Sequence, residues 1–162
     1  MSEVTIRPSV PGDLSAIVRV FLECWTVSYA SVLPPAVLAT MDEESATRLW
    51  EGALERPGTV LVAERDGDLL GIARYTVAGA DGYLASLYVS PRSQGGGLGS
   101  RLLAAAEDGM SVAGARVATL WVFADNAPSM AFYCSRGWEP TGSVRVEERF
   151  GAPEAGLVKV LG

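Results

Sequence analysis

The sequence contains no histidine among its 162 residues. This absence excludes Ser-His and Cys-His nucleophilic mechanisms, so any proton transfer must use Tyr, Ser, Cys, Lys, a carboxylate or water. Cysteine is nearly as scarce, since Cys24 and Cys134 are the two present. They have neither the spacing of metal ligands nor a disulfide framework. We therefore expect two buried, reduced thiols and predict no metal site.

Long apolar runs and basic clusters are also absent. No stretch approaches the roughly 18 consecutive apolar residues of a membrane span. The first ten residues lack the basic start and apolar centre of a signal peptide. The formal net charge is -6, with 13 Lys and Arg against 19 Asp and Glu, which argues against a basic face for nucleic acid. We predict a cytoplasmic protein that binds neither membranes nor nucleic acid.

Apolar residues, by contrast, make up 49% of the chain. That share is enough for a proper core in a chain of this length, so we predict one domain over residues 1–162. Helical and strand periodicities alternate along the chain, with Asp13 as the expected N-cap of the first helix. Three strands precede a glycine-rich segment, and a helix follows it from about Leu98 to Ala113. A strand, a short helix and closing strands complete an α/β pattern with a mixed sheet, and "FGAPEAG" at 150–156 is interpreted as a loop.

The glycine-rich segment reads Gln94-Gly95-Gly96-Gly97-Leu98-Gly99. Glycine is an entropically unfavourable choice between a strand and a helix, which indicates that backbone is needed there instead of side chains. Free amides at a helix N terminus, together with the helix dipole, bind phosphate or pyrophosphate. The alternative for an isolated cluster is a flexible turn without a ligand.

Two nucleotide-binding motifs match this segment poorly. A Walker A loop needs Gly-Lys-Ser/Thr, whereas the chain continues Gly99-Ser100-Arg101. A G-x-G-x-x-G fingerprint begun at Gly95 would end at Ser100, and it normally follows the first strand of a βαβ unit. An NAD(P)-dependent oxidoreductase is therefore a weak alternative, supported by Asp125 at the end of the next strand.

A second constellation, Asn126, Pro128 and Tyr133, follows that next strand. Pro128 suits the first turn of a helix, and Tyr133 falls one to two turns into it. Asn126 and Tyr133 are thereby displayed as a polar pair beyond a strand end, near the glycine-rich segment. The alternative is that Tyr133 belongs to the buried stripe of a short amphipathic helix.

These segments resemble the GNAT superfamily of N-acetyltransferases. The stretch "LYVSPRSQGGGLGSRLL" resembles the acyl-CoA pyrophosphate motif Q/R-x-x-G-x-G/A, with Gln94, Gly97 and Gly99 at its defining positions. The stretch "LWVFADNAPSMAFYCSRGW" resembles the family's next motif, and the first strand and helix resemble those of many bacterial members. The resemblance spans most of the chain and implies a mixed, mostly antiparallel central sheet flanked by helices.

The same resemblance implies an acetyl-CoA-dependent N-acetyltransferase that transfers the acetyl group directly to a primary amine of a small molecule or peptide. Tyr133 would be the general acid, Trp25 and Tyr29 would contact the acceptor, and the protein would form a homodimer. Trp25 and Trp50 are equally well interpreted as core residues. The residues implied in cofactor binding are Leu87, Tyr88, Val89, Gln94, Gly95, Gly96, Gly97, Leu98, Gly99, Ser100 and Asn126.

One feature of the family is missing. Many members have a glutamate as general base on the strand before the glycines or on the strand after them. This sequence has Tyr83, Ala85 and Ser86 on the first and Trp121 on the second. The sequence therefore leaves the proton acceptor undecided. The candidates are water, Ser86, Tyr83, Tyr29 and a carboxylate of the helical N-terminal half. The missing glutamate also permits a non-catalytic acyl-CoA-binding or regulatory module.

Overall fold

Seven β-strands form the centre of the computed structural model, which describes residues 3–27, 29–147 and 150–162. The strands are β1 (Thr5–Pro8), β2 (Thr59–Arg65), β3 (Asp68–Ala78), β4 (Asp81–Val89), β5 (Val117–Phe123), β6 (Glu139–Glu147) and β7 (Ala152–Val160). They form one sheet in the order β1-β2-β3-β4-β5-β7-β6. Neighbouring strands are antiparallel except β4 and β5, which run parallel. The mixed, mostly antiparallel sheet expected from the sequence is confirmed.

Helices flank this sheet on both faces. The α-helices of the described residues are α1 (Leu14–Val27), α2 (Pro35–Leu38), α3 (Glu43–Glu55), α4 (Leu98–Val112) and α5 (Ala127–Cys134). Two 3-10 turns, Pro11–Asp13 and Pro91–Ser93, precede α1 and the glycine-rich segment. Asp42 caps the start of α3, because its side chain accepts a hydrogen bond from the Ser45 amide at 2.7 Å.

Each face of the sheet has its own apolar core. On one face, α1 buries Ile17, Phe21 and Trp25 at helical spacing, together with Trp50 of α3. On the other face, α4 buries a stripe that lies against β3 and β4. The helix approaches so closely that a Cβ added to Gly71 of β3 would lie 2.5 Å from a Leu102 methyl group. A side chain at position 71 would therefore force the buried Leu102 side chain to shift.

Three sequence-based expectations are wrong in detail. Asp13 ends the 3-10 turn instead of capping α1, because its carboxylate accepts from the Val10 amide and pairs with Arg7, both at 2.8 Å. Cys134 is exposed at the end of α5, although Cys24 is buried as expected. The stretch 150–156 is not all loop, since β7 begins at Ala152 and pairs with both β5 and β6. Pairing with two strands outweighs the local turn signal.

Candidate active site

The start of α4 leaves three backbone amides without an acceptor inside the helix. Gly97 is the N-cap, with a φ of 79°, and Gly95 has a φ of 89°; both values lie in the left-handed region that favours glycine. The first hydrogen bond of the helix runs from the Arg101 amide to the Gly97 carbonyl at 3.1 Å. The amides of residues 98–100 therefore have no acceptor within the helix. An anion at this position meets these amides and the positive end of the helix dipole.

Hydrogen bonds and ion pairs fix the residues between β4 and the glycine-rich segment. Ser90 is fully buried, and its hydroxyl donates to Glu23 of α1 at 2.8 Å. The same carboxylate accepts from Arg92 at 3.1 Å, and Arg92 also reaches Asp68 at 3.2 Å. Burial acts to raise the pKa of Glu23, but the bonds from Arg92 and Ser90 outweigh burial and lower it. Glu23 is thus an anion that ties the strand end before the glycines to α1.

A gap opens between β4 and β5 beside the glycine-rich segment. The two strands are paired only from Asp81 with Val117 to Leu84 with Leu120, although both continue further. In β4 the register with β3 shifts so that Ala85 has no partner residue. Such a bulge bends a strand and increases its twist. The strands consequently diverge after Leu84.

The backbone of β4 directs hydrogen-bonding groups into this gap. The Ser90 amide donates to the Leu70 carbonyl of β3 at 2.8 Å. Bonded and non-bonded positions alternate in an antiparallel ladder, so Tyr88 bonds to β3 while Leu87 and Val89 point away from it. The Val89 carbonyl accordingly accepts from the Cys24 thiol at 3.1 Å and from Gln94 at 3.3 Å. The N–H groups of Leu87 and Val89 face the gap.

A cavity of about 720 Å³, which we call the large cavity, extends from the glycine-rich segment to the gap. The residues predicted to bind the cofactor that line it are Leu87, Tyr88, Val89, Gln94, Gly95, Gly97, Leu98, Gly99, Ser100 and Asn126. Gly96 is exposed and is not one of the described lining residues. The structure thus brings ten of the eleven predicted positions together along one cavity.

A second space of about 160 Å³, which we call the small pocket, lies on the other side of the gap. Its aromatic walls include Trp25 and Tyr29, the two predicted acceptor contacts. Trp25 is also a core residue, 2% exposed, as is Trp50, which is not among the described lining residues. The residues that line both spaces are Tyr29, Leu87, Tyr88, Asn126, Ser129 and Tyr133. The two spaces therefore meet at the gap.

Three phenols surround this junction, and each has a raised pKa. Burial raises the pKa of Tyr29 well above its usual 10.0, with the neighbouring Tyr88 adding to the rise. Burial likewise raises the pKa of Tyr88 to about 12, although its hydrogen-bonding interaction with Tyr29 lowers it. Burial and the nearby Tyr88 raise the pKa of Tyr133 above 10.0. All three are neutral hydroxyl groups at pH 7.

The helix α5 positions Asn126 and Tyr133. Asn126 is buried and caps the helix, since its side-chain oxygen accepts from the Ser129 amide at 3.3 Å. That bond leaves the Nδ2 group of Asn126 as the donor for a ligand. The Tyr133 ring packs against Phe132 and Trp138, with centroid distances of 5.2 and 6.0 Å. Tyr133 therefore belongs to a packed helix face and also lines both spaces.

Sequence reasoning missed one cation of the large cavity. Arg136 follows α5, lines the cavity and lies over the Phe132 ring at 4.0 Å from its centroid. Its Nε donates to the Ser100 hydroxyl at 3.1 Å, next to the amides at the start of α4. A positive charge at this point favours an anionic ligand in a protein whose net charge is -6. Arginine in the stretch "CSRGW" has no local signature, so only the fold brings it to the glycines.

Two carboxylates of the small pocket were also missed. They are Glu147 of β6 and Glu154 of β7, so they come from the C-terminal strands and not from the helical N-terminal half. Glu154 lies in the stretch that was expected to be a loop. The alternation of a strand from Ala152 onward would have been the signal, but Pro153 and the flanking glycines hide it.

The protein thus has an α/β fold in which free amides at the start of α4 face the larger of two joined spaces. The model of the Acetyltransferase (GNAT) family matches residues 15–138. Since this match spans most of the chain, the protein belongs to the GNAT family, as the sequence motifs indicated.

Individual proteins show the same similarity. YuaI of Bacillus subtilis (strain 168), an uncharacterized N-acetyltransferase, is 26% identical over 135 residues, which are 80% of this chain and 77% of YuaI. The PaiA N-acetyltransferase from Thermoplasma acidophilum, solved in complex with coenzyme A, superposes with a TM-score of 0.78 at 21% identity over 98% of this chain and 99% of PaiA. A ribosomal-protein-alanine N-acetyltransferase from Brucella melitensis superposes with a TM-score of 0.75 at 28% identity. The superposition covers 97% of this chain and 99% of the Brucella protein.

Within residues 3–27, 29–147 and 150–162, no three His, Cys, Asp or Glu side chains are grouped so that they could hold a metal ion. No helix of this described part is both long enough and apolar enough to cross a bilayer.

Proposed function

We propose that the protein transfers an acetyl group from acetyl-CoA directly to a primary amine of a small molecule or peptide. The observation that carries this proposal is the junction between the large cavity and the small pocket. Tyr29, Tyr88, Asn126 and Tyr133 line both spaces. A cosubstrate anchored at α4 and an acceptor in the small pocket would meet there.

The chemistry of the large cavity fits coenzyme A. Amides of residues 98–100 and the helix dipole suit the negative charge of a pyrophosphate. Arg136 adds a cation beside Ser100 at 3.1 Å. The Nδ2 of Asn126 and the β4 backbone groups that face the gap supply donors for the amide-containing arm. PaiA, which has the same fold, was solved with coenzyme A.

Groups at the junction match the charges that develop during acetyl transfer. Acetyl-CoA supplies the acetyl group as a thioester. The N–H groups of Leu87 and Val89 would stabilise negative charge on the carbonyl oxygen. Tyr133 would hold a proton for the departing thiolate, and its raised pKa keeps that proton in place at pH 7. No covalent intermediate with the protein is needed, and none of the three phenols is an anionic nucleophile at this pH.

A thiol-release assay with acetyl-CoA and a panel of primary amines tests the proposal. We expect amine-dependent release of CoA, and calorimetry should show binding of CoA but not of NAD⁺. Binding of acetyl-CoA without turnover of any amine would favour a non-catalytic acyl-CoA-binding or regulatory module. Binding of NAD⁺ alone would favour the oxidoreductase. The homodimer implied by the family resemblance stays a prediction, which light scattering would test.

A further inference from the structure

The small pocket contains an acidic group that the established family membership does not explain. Glu154 of β7 lies opposite Phe123 of β5 and Arg145 of β6 in the sheet register. Residues directly opposite in antiparallel strands project from the same face of the sheet. Phe123 belongs to the core formed with α1 and α3, so Glu154 projects toward the small pocket on that face. The Glu154 residue is only 8% exposed.

An ion pair with Arg145 orients this buried carboxylate. Arg145 Nε donates to Glu154 Oε1 at 2.8 Å, while the Arg145 guanidinium lies over the Trp121 ring at 4.3 Å from its centroid. Within the described part of the chain, Oε1 is the Glu154 oxygen that accepts a hydrogen bond. The arginine thus holds the carboxyl group in place, and Oε2 is available to a ligand in the pocket.

Other titratable groups around the pocket are less suited to accept a proton. Tyr29, Tyr88 and Tyr133 are neutral phenols, as their raised pKa values show. Burial is the main cause that raises the Tyr88 pKa to about 12, and the charge of Glu154 is a smaller one. The side chains of Tyr88 and Glu154 therefore lie within electrostatic reach of each other. The Glu147 carboxylate accepts from the Phe150 amide at 3.1 Å, and Glu147 is less buried than Glu154.

We propose that Glu154 binds the acceptor's ammonium group and accepts its proton, which replaces the glutamate missing from β4 and β5. This inference rests on the proposed acetyl transfer. The acceptor class that it specifies is a primary amine that arrives as an ammonium ion and is narrow enough for aromatic walls around 160 Å³. The second oxygen of Glu154 can accept a hydrogen bond from such a cation, and the low exposure of Glu154 limits the screening of this contact by solvent.

Two protons leave the ammonium nitrogen during the proposed transfer. One proton of the ammonium moves to Glu154, the amine nitrogen forms a C–N bond with the acetyl carbonyl carbon, and the C–S bond breaks. The thiolate takes the proton of Tyr133. The second proton lost from nitrogen returns to the Tyr133 oxygen, and Glu154 releases its proton to solvent. One proton is released for each acetyl group transferred.

Glu154→Gln tests this role, because glutamine keeps the side-chain volume and an oxygen for Arg145. Glu139→Gln is the matched control, since Glu139 is an exposed β6 residue and its loss changes the net charge equally. With the best amine of the panel, kcat/KM at pH 7 should fall about 100-fold for Glu154→Gln. The KM for acetyl-CoA should stay within twofold, and Glu139→Gln should match the parent.

The pH profile separates this role from a structural one. The deficit of Glu154→Gln should shrink as the pH approaches the pKa of the amine, about 10 for an alkylamine and about 8 for a peptide N terminus, since the acceptor then arrives already neutral. Glu154→Asp keeps a carboxylate and should be more active than Glu154→Gln. This variant provides a second test if the glutamine variant folds poorly. A pH-independent deficit would indicate a structural role and overturn the proposal.

Two results distinguish the failure of this inference from failure of the proposed function. If the parent acetylates an amine and Glu154→Gln stays within threefold of it at pH 7, Glu154 is not the proton acceptor. If the parent binds acetyl-CoA but acetylates no amine, the proposed function fails, and the role of Glu154 fails with it.

Discussion

Replacing Tyr133 with phenylalanine removes one oxygen atom from the junction between the large cavity and the small pocket. The ring contacts with Phe132 and Trp138, at 5.2 and 6.0 Å between centroids, are retained. Among the described residues, no side chain or backbone group forms a hydrogen bond with the Tyr133 hydroxyl. The free energy of unfolding should therefore change by no more than about 1 kcal/mol.

The catalytic effect should be much larger. General acid catalysis contributes roughly 10² to 10⁴ in rate. Burial and Tyr88 raise the pKa of Tyr133 above 10.0, whereas an ordinary thiol has a pKa of about 8.5. Complete transfer of the proton from Tyr133 to the thiolate therefore costs more than about 2 kcal/mol. We accordingly place the rate contribution of Tyr133 at the low end of the range from roughly 10² to 10⁴. We expect kcat to fall about 100-fold, equivalent to about 2.7 kcal/mol.

Steady-state kinetics with the best amine of the panel, together with urea unfolding, measures both effects. The KM for acetyl-CoA should barely change. Because the raised pKa keeps the hydroxyl protonated, the parent should show no loss of kcat from this group below pH 10. A Tyr133→Phe protein within about threefold of parental turnover would refute the general-acid role, since that role supplies at least tenfold.

Three further predictions concern the large cavity and the N-terminal ion pair. Gly97→Asp should weaken CoA binding about tenfold more than Gly97→Asn, because both side chains tolerate a positive φ but only aspartate repels a pyrophosphate; equal losses by calorimetry would contradict this. Asn126→Asp should raise the KM for acetyl-CoA at nearly constant thermal stability, since aspartate caps α5 but lacks the Nδ2 donor; an unchanged KM would argue against a contact with the cosubstrate. Bonds from Arg7 lower the pKa of Asp13 below 3.8, so Asp13→Asn should destabilise by about 1.5 kcal/mol at pH 7. This difference in the free energy of unfolding is present above pH 3.8 and should disappear as the pH falls through the lowered pKa of Asp13. Urea unfolding at several pH values measures it, and a difference that does not change with pH would exclude the ion pair as its source.

Local sequence signals were sufficient to predict the elements whose ends are marked by capping or turn residues. The helix expected from about Leu98 to Ala113 is α4, which ends at Val112. The hairpin between β2 and β3 turns at Asp66 and Gly67, which have positive φ values of 53° and 81°. Such features depend on neighbouring residues only: a glycine before an apolar helix, or an Asp-Gly pair between strands.

Other features required contacts between distant segments. Cys134 is exposed because α5 turns its aromatic residues inward, which a helix of eight residues does not reveal in its sequence. The β7 strand begins at Ala152 because β5 and β6 pair with it on both sides. Local turn propensity at 150–156 is weaker than the hydrogen bonds and burial gained from two neighbours.

The amino-acid sequence by itself determined the order of elements, the family and the amide cluster at the start of α4, because each depends on residues adjacent in the chain. Tertiary structure decided where β4 and β5 diverge, since the Ala85 bulge is defined only by the register with β3. It also decided which charged groups reach the site. Arg136 and Glu154 arrive there through the packing of α5 and the pairing of β7, and electrostatic reach depends on distance in space, not on separation in sequence.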